Sequence, residues 1–404
     1  MSSEELRAAA GTGDPAPDAQ HSPPVRASDS SRPSPNAGVS SRSPTLGAEE
    51  EYLLVDPVTR AVSPEAEKVV AQAATELGDR VTTELTRYQI EARTDPHTRL
   101  ADFAEQIRSM RAAVTRAAAH HGLRVISSGT PVLGQPMPPP WTEGSRYARS
   151  VAQFGALDDE QSVCACHVHV GMPDVDTALR VSNHLRPWLP ALIALSANSP
   201  YWQGRDTGHA SWRWLAWARW PAAGPPPFLE SRAHFEDLVA DLTATGAIMD
   251  RGGLYWDIRP SHHLPTLEIR VADAASSPED TLLLAAVIRA LAAKALTDID
   301  AGTPPPRPLP EMLRTACWRA AHDGLTGNGV DLHTHRLAPA THLVQRLLTH
   351  VAPVLEHDGN LDTVRTGWAR LRACGTGADR QRAAYQPRNR LPDVVDHLIH
   401  TLRQ

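Results

Sequence analysis

The sequence predicts an α+β fold rather than a doubly wound one. Strand-like and helix-like segments mix along the 404 residues without a regular βαβ rhythm. Several short segments alternate with period two, as half-buried strands do, while residues 100–121 and 281–300 carry apolar positions at helical spacing. No internal repeat is present.

Residues 1–44 hold ten Ser and seven Pro but one Leu and no Ile or aromatic residue. Such a segment buries too little apolar surface to offset its ordering entropy, so a disordered tail is expected there. The pattern changes at Thr45. Residues 46–55 read as a strand that stops at the Asp56-Pro57 turn signal. Ser63-Pro64-Glu65 opens a helix to about Leu77, with Gly78 beyond its end. Residues 81–92 read as a second strand. Gly122 stops the long 100–121 helix, a short strand follows at 123–128, and the Pro-dense stretch 129–141 is loop.

Residues 164–170 alternate as a strand should. Residues 174–195 read as a helix capped by Asp174 or Asp176 and interrupted by Pro187 and Pro190. Residues 199–228 hold five of the ten tryptophans among Gly and Pro, a long irregular region of the kind that often carries function. A helix is expected at 228–245, and strands at 254–259 and 266–271 around a Pro/His turn. The remainder reads as mainly helical, with polar breaks near 301–309 and 323–331. The folded region, 45–404, is expected to be a single domain.

Composition narrows the function classes. Lys+Arg 40 against Asp+Glu 46 leaves a net charge of −6, which argues against a nucleic-acid binder with its basic footprint. No run approaches the ~18 apolar residues of a membrane span. The first residues lack the basic start and apolar stretch of a secretory signal, so a cytoplasmic protein is expected. Lys68 and Lys294 are the only lysines, and neither sits in a G-x-x-x-x-G-K-[ST] loop. Any nucleotide phosphate must be met by arginines, backbone groups or metal ions. Four cysteines without a C-x-x-C pair argue against a disulfide scaffold or a zinc ribbon.

Four strand segments carry ionisable groups with period two. In Glu49-Glu50-Glu51, Glu49 and Glu51 share one face and Glu50 points the other way. Two adjacent carboxylates on a buried face need a cation, and oxygen donors suit Mg²⁺ or Mn²⁺. The competing reading is a solvated acidic edge. In Cys166-His167-Val168-His169, the H-x-H spacing puts both imidazoles on one face, as metal ligands or as hydrogen-bonded wall residues. Cys164 and Cys166 are read as small fillers on that same face, since a hard-metal site does not select thiolate. Glu268 and Arg270 share a face, as do Asp257 and Arg259; a structural ion pair competes with a ligand-plus-phosphate role. Gln89, Glu91 and Arg93 alternate with Ile90 and Ala92, either on an exposed strand face or in the same site. A sheet face lined by metal ions and handling phosphate is the reading that unites all four. H-x-H by itself also suits a metal-dependent hydrolase, and a degenerate metabolite sensor is a third class.

The strings Leu46-Gly-Ala-Glu-Glu-Glu-Tyr-Leu-Leu-Val-Asp-Pro57, Gln89-Ile-Glu-Ala-Arg-Thr94, His167-Val-His-Val-Gly171, Leu195-Ser-Ala-Asn-Ser-Pro-Tyr-Trp-Gln-Gly204, Thr207-Gly-His-Ala-Ser-Trp-Arg213 and Thr266-Leu-Glu-Ile-Arg-Val271 occur in that order. With Gly375-Thr-Gly-Ala-Asp-Arg-Gln-Arg382, they resemble the glutamate–cysteine ligase type 2 family, the carboxylate–amine ligases related to glutamine synthetase. The resemblance runs from about residue 45 to the end. It implies a curved, mainly antiparallel sheet with helices on its outer face. It also implies ATP with Mg²⁺ (or Mn²⁺), and attack of the L-glutamate γ-carboxylate on the γ-phosphate. An amine such as L-cysteine would capture the γ-glutamyl phosphate, giving γ-glutamylcysteine, ADP and phosphate. A different amine, or a phosphotransfer on the same fold, is the alternative.

Carried over by resemblance, Glu49, Glu51, Glu91 and Glu268 are metal ligands, with His167 or His169 completing a site. Glu268 and Arg270 are catalytic, Arg270 meeting the transferring phosphate. Arg213, Asn198 and Arg205 bind substrate. The resemblance implies small-molecule partners and is compatible with a homo-oligomer.

Overall fold

The computed structural model describes residues 43–403. The tail expected to be disordered, 1–44, lies outside the described residues apart from its last two. Seven strands form one fully antiparallel sheet: β1 (Leu46–Val55), β2 (Val81–Thr83), β3 (Gln89–Arg93), β4 (Arg124–Ile126), β5 (Ala165–Gly171), β6 (Ile258–Pro260) and β7 (Thr266–Asp273). The order across it is β6-β7-β5-β1-β3-β2, with β4 also paired to β1.

Alternation along β1 divides the molecule. Leu46, Ala48, Tyr52 and Leu54 point back into the main apolar core. Cys166, Val168 and Val170 of β5 and Leu267, Ile269 and Val271 of β7 join them, covered by the Leu100–His120 and Pro278–Asp300 helices. Glu49 and Glu51 point forward. Beyond them Leu53 and Val55, on the same front face, enter a second core with Val394, Val395 and Leu398 of the Leu391–Arg403 helix. The front face therefore changes along one strand from charged to apolar.

Glu50 is the exception on the back face. Its carboxylate accepts from Arg111 Nε (2.9 Å) and Nη2 (2.5 Å), from Thr281 Oγ1 (2.5 Å) and from the Tyr52 hydroxyl (2.6 Å). Arg111 sits on the first covering helix and Thr281 on the second, so one carboxylate ties the central strand to both. Burial alone would raise the Glu50 carboxyl, but the Arg111 guanidinium outweighs it and holds it below its ordinary value.

The structure departs from the expected elements at several places, among them short helices at Ala156–Asp159 and Trp212–Trp217. Residues 81–92 form a hairpin, β2 and β3, with Glu84 on the turn. Cys166 lies on the valine face, opposite Glu50, not on the histidine face, because even and odd positions cannot share a side. A helix at Ser145–Phe154 and a hairpin at Asn328–Asp331 and Arg336–Pro339 stand where none was expected. Pro187 and Pro190 do interrupt their helix, through a 3₁₀ turn at Arg186–Trp188.

Arg111→Ala leaves Glu50 charged, buried and unpaired; it is expected to cost ~3–5 kcal/mol in urea unfolding. Replacing both partners, Glu50→Gln with Arg111→Met, recovers most of that loss. The wild-type pair contributes at neutral pH, and its contribution disappears as pH falls through the lowered Glu50 value.

Candidate active site

The sheet register brings the front-face residues together. Glu268 stands opposite both Arg259 and His169, His167 opposite Glu49, Glu49 opposite Arg93, and Glu51 opposite Glu91. Directly paired residues on one face place their side chains in contact. These groups line a cavity of about 960 Å³. The segments that enclose it in front include the Ser145–Phe154 helix, Trp217, Trp220 and Tyr255.

The carboxylates fall into two groups. Glu51, Glu84 and Glu91 offer oxygens within 4.8 Å of one another, and so do Glu49 and Glu268 with a nitrogen of His169. The first group is acidic and self-repelling. Burial, then Glu84, pushes the Glu51 carboxyl up to about 8. Burial raises Glu91 well above the carboxylate range, with Glu49, Glu84 and Glu51 adding to it. Three hard oxygen donors that repel one another are a fitting donor set for Mg²⁺ or Mn²⁺. Glu51 accepts from the Ala165 N–H at 2.8 Å, and His167 Nε2 lies 4.0 Å from its other oxygen.

The second group is compensated by cations. Burial would raise Glu49, but hydrogen bonding to His167 and His169 outweighs it and holds it well below the carboxylate range. Burial would likewise raise Glu268, but the Arg270 and Arg259 guanidinia hold it lowered. Arg259 Nε donates to Glu268 at 2.7 Å, and Arg270 Nη1 donates to the other oxygen. His169 is the better placed histidine. Its Nδ1 lies 2.9 Å from the Thr266 hydroxyl and its Nε2 3.2 Å from Glu49 Oε1; burial would lower the imidazole, but Glu49 outweighs it and raises it above its ordinary value. His167 stands 3.3 Å from Glu49 and 3.5 Å from Arg270 Nη1; burial, then Arg270, lowers it to about 4.

Arg213 is fully buried and lines the same cavity. It donates to the backbone oxygens of Arg270 and, at 3.5 Å, Val271. Its Nε has no partner, and among the described residues no carboxylate lies within ion-pair distance. Asp273, Glu51 and Asp257 act on it by charge from beyond that distance.

Asn198 and Arg205 do not join it. Asn198 donates to the Ser127 and Ala274 carbonyls and accepts from Gln381 Nε2 (2.8 Å), while its N–H meets Asp273 (2.7 Å). It is a buried bracket holding the end of β7 against the Gly377–Tyr385 helix. Gly377 belongs to the same bracket, since a Cβ there would lie 2.0 Å from Asn198 Oδ1. Arg205 is exposed, on a two-residue strand outside the cavity. Glu84 and Arg259 are the site residues that sequence reasoning did not assign. Glu84 was hidden inside a segment read as one strand; Arg259 was read on a face with Asp257 but given no role.

A profile described as glutamate–cysteine ligase family 2 matches residues 45–397. The chain belongs to this family. A Saccharopolyspora erythraea protein named "Putative glutamate--cysteine ligase 2-1" is 46% identical over 356 residues, 88% of this chain and 94% of that one. A Mycobacterium sp. (strain KMS) relative, named likewise with the suffix 2-2, is 44% identical over 355 residues, 87% and 97% of the two chains. Among solved structures, a glutamate–cysteine ligase from Francisella tularensis in complex with AMP matches with a TM-score of 0.66 at 13% identity. The match covers 90% of this chain and 89% of that one. A bifunctional glutathione synthetase from Pasteurella multocida gives 0.63 at 13% identity, covering 90% of this chain and 53% of that one. At such identity these two show the fold, and it is the expected α+β ligase fold. Among the described residues no helix is long and apolar enough to cross a membrane.

If the Glu51–Glu84–Glu91 group is a metal seat, removing one charge separates stability from binding. Glu91→Gln is expected to raise the melting temperature in EDTA, because one repelling carboxylate is gone. The same variant should lose most of the Mg²⁺-induced rise that the wild type shows. Calorimetry with and without Mg²⁺ checks both, and the gain in EDTA should shrink as pH falls from the raised Glu91 value toward the ordinary glutamate value, below which it is gone.

Proposed function

We propose that the protein is an ATP-dependent carboxylate–amine ligase that joins the γ-carboxylate of L-glutamate to the amine of L-cysteine through a γ-glutamyl phosphate. The observation that carries this reading is the presence, in one cavity of a family member, of two carboxylate groups on one sheet face together with the buried guanidinia of Arg270 and Arg213. The reading places catalysis in one domain, 45–404, in the cytoplasm, with 1–44 outside it.

Glu51, Glu84 and Glu91 would hold one Mg²⁺, and Glu49, Glu268 and His169 a second. When bound, Mg²⁺ offsets the charge of the ATP phosphates and of the transferring phosphoryl group. The chain's own groups do the rest. Glu268 accepts from Arg259 on one oxygen and from Arg270 on the other, which fixes the Arg270 guanidinium in the cavity wall where it can meet the transferring phosphate. Arg213, buried and unpaired, suits a substrate carboxylate. A glutamate oxygen attacks the γ-phosphorus, the bond to ADP breaks, and a poor acyl donor becomes an activated one. The acceptor nitrogen then attacks the acyl carbon, the C–O bond to phosphate breaks, and the amide remains.

Purified protein with ATP, Mg²⁺ and L-glutamate is expected to release ADP in an L-cysteine-dependent manner, with γ-glutamylcysteine identified by mass. Glu268→Gln should lower that turnover by ~10²-fold or more with the circular-dichroism spectrum kept. ADP release only with another amine from a panel would keep the ligase and change the acceptor. No ATP turnover with any amine would sink the proposal.

A further inference from the structure

Opposite the carboxylate sheet, the cavity ends in a wall of different chemistry. Trp217, Trp220 and Tyr255 pack together, with ring centroids 4.7 Å apart for Trp217–Tyr255 and 5.2 Å for Trp220–Tyr255. Both indole N–H groups are committed, Trp217 to the Tyr255 carbonyl (3.2 Å) and Trp220 to Gln161 Oε1 (2.7 Å). The two indoles therefore offer only π surface and apolar edge to a ligand.

Beside them lie Asp158, 1% exposed, and Gln161, 2% exposed. The Ser150 hydroxyl sits 3.1 and 3.0 Å from the two Asp158 oxygens. No Lys, Arg or His among the described residues lies within ion-pair distance of that carboxylate; Arg146, the nearby guanidinium, is paired to Asp250 at 3.2 Å. Gln161 Nε2 is buried without a partner. A buried acid without a counter-cation, an unused amide donor and an aromatic wall are together an unfilled site. Its complement is a primary ammonium with an apolar substituent, since π faces and a carboxylate both attract a cation.

We propose that Asp158 receives the ammonium group of the acceptor amine at this wall and takes its proton, a role that rests on the ligase reading above. The ammonium gives one proton to the Asp158 carboxylate and keeps its electron pair. That pair forms the C–N bond as the C–O bond to phosphate breaks, and phosphate carries the leaving electrons away. The second proton lost from nitrogen passes to solvent or phosphate. Three groups act on Asp158: Ser150 by hydrogen bond, and Asp159 and Arg146 by charge; Asp158 in turn acts by charge on Tyr255, which also feels Glu84. Burial, more than any of these, raises the Asp158 carboxyl above its ordinary value.

Hydroxylamine is unprotonated at neutral pH and needs no base, so it tests the role. Wild-type protein with ATP, Mg²⁺ and L-glutamate should form γ-glutamyl hydroxamate as well as the product with L-cysteine, or with the best amine of the panel. Asp158→Asn should keep hydroxamate formation near wild type and lose ~10²-fold or more with the amine at neutral pH. That deficit should narrow about tenfold per pH unit as the free-amine fraction grows. Ser150→Ala, which loosens the carboxylate without removing it, should show a smaller loss of the same form. Equal losses with both nucleophiles, a deficit that does not change with pH, or wild-type behaviour of Asp158→Asn would overturn the assignment while leaving the ligase reading intact. A wild-type protein that forms neither product would end both.

Discussion

Glu51 and Glu91 stand directly opposite each other on neighbouring strands, and the backbone ladder leaves neither free to withdraw. Glu84, on the turn of the same hairpin, adds a third carboxylate. Like charges held this way oppose folding, and the rest of the structure is arranged around supporting them. The back of β1 is sealed by apolar packing and by the Glu50–Arg111 pair, which fixes the strand to two helices. The front is thereby held rigid while it carries groups that repel.

The neighbouring half of the sheet solves the same problem differently. Glu49 and Glu268 are compensated by two histidines and two arginines, all within the fold. One carboxylate group is thus offset in charge by side chains of the fold, and the other is not. The bracket of Asn198, Asp273, Gln381 and Gly377 keeps β7 in place beside this arrangement. Ser199 and Ser211 both donate to Asp273 at 2.7 Å, so the loop that leads to Arg213 is fastened at the same point.

Much of this was legible in period-two spacing. Glu49-Glu50-Glu51 announced its division between front and back, and His167-Val168-His169 its shared face. The forward-facing charges of β3 and β7 were equally visible. Which strand pairs with which was not, and so neither was the opposition of Glu51 to Glu91 or of Glu268 to Arg259. Glu84 escaped because residues 81–92 alternate well enough to pass for one strand, although the chain reverses within them. Asn198 misled in the other direction: a polar residue in a recognisable string reads as a ligand contact until its amide is seen satisfied on every side. Asp158 lies in a segment without strong periodicity, where nothing in the spacing marks a buried acid.

The front-face carboxylates and Arg270 are all attached to the main sheet or its hairpin turn, where a change to one strand disturbs its neighbours. Asp158, Gln161, Trp217 and Trp220 are carried on short helices and loops that contribute nothing to that ladder. Variation in the second set can therefore accumulate without cost to the first. The front wall can thus change its shape while the carboxylate face keeps its register.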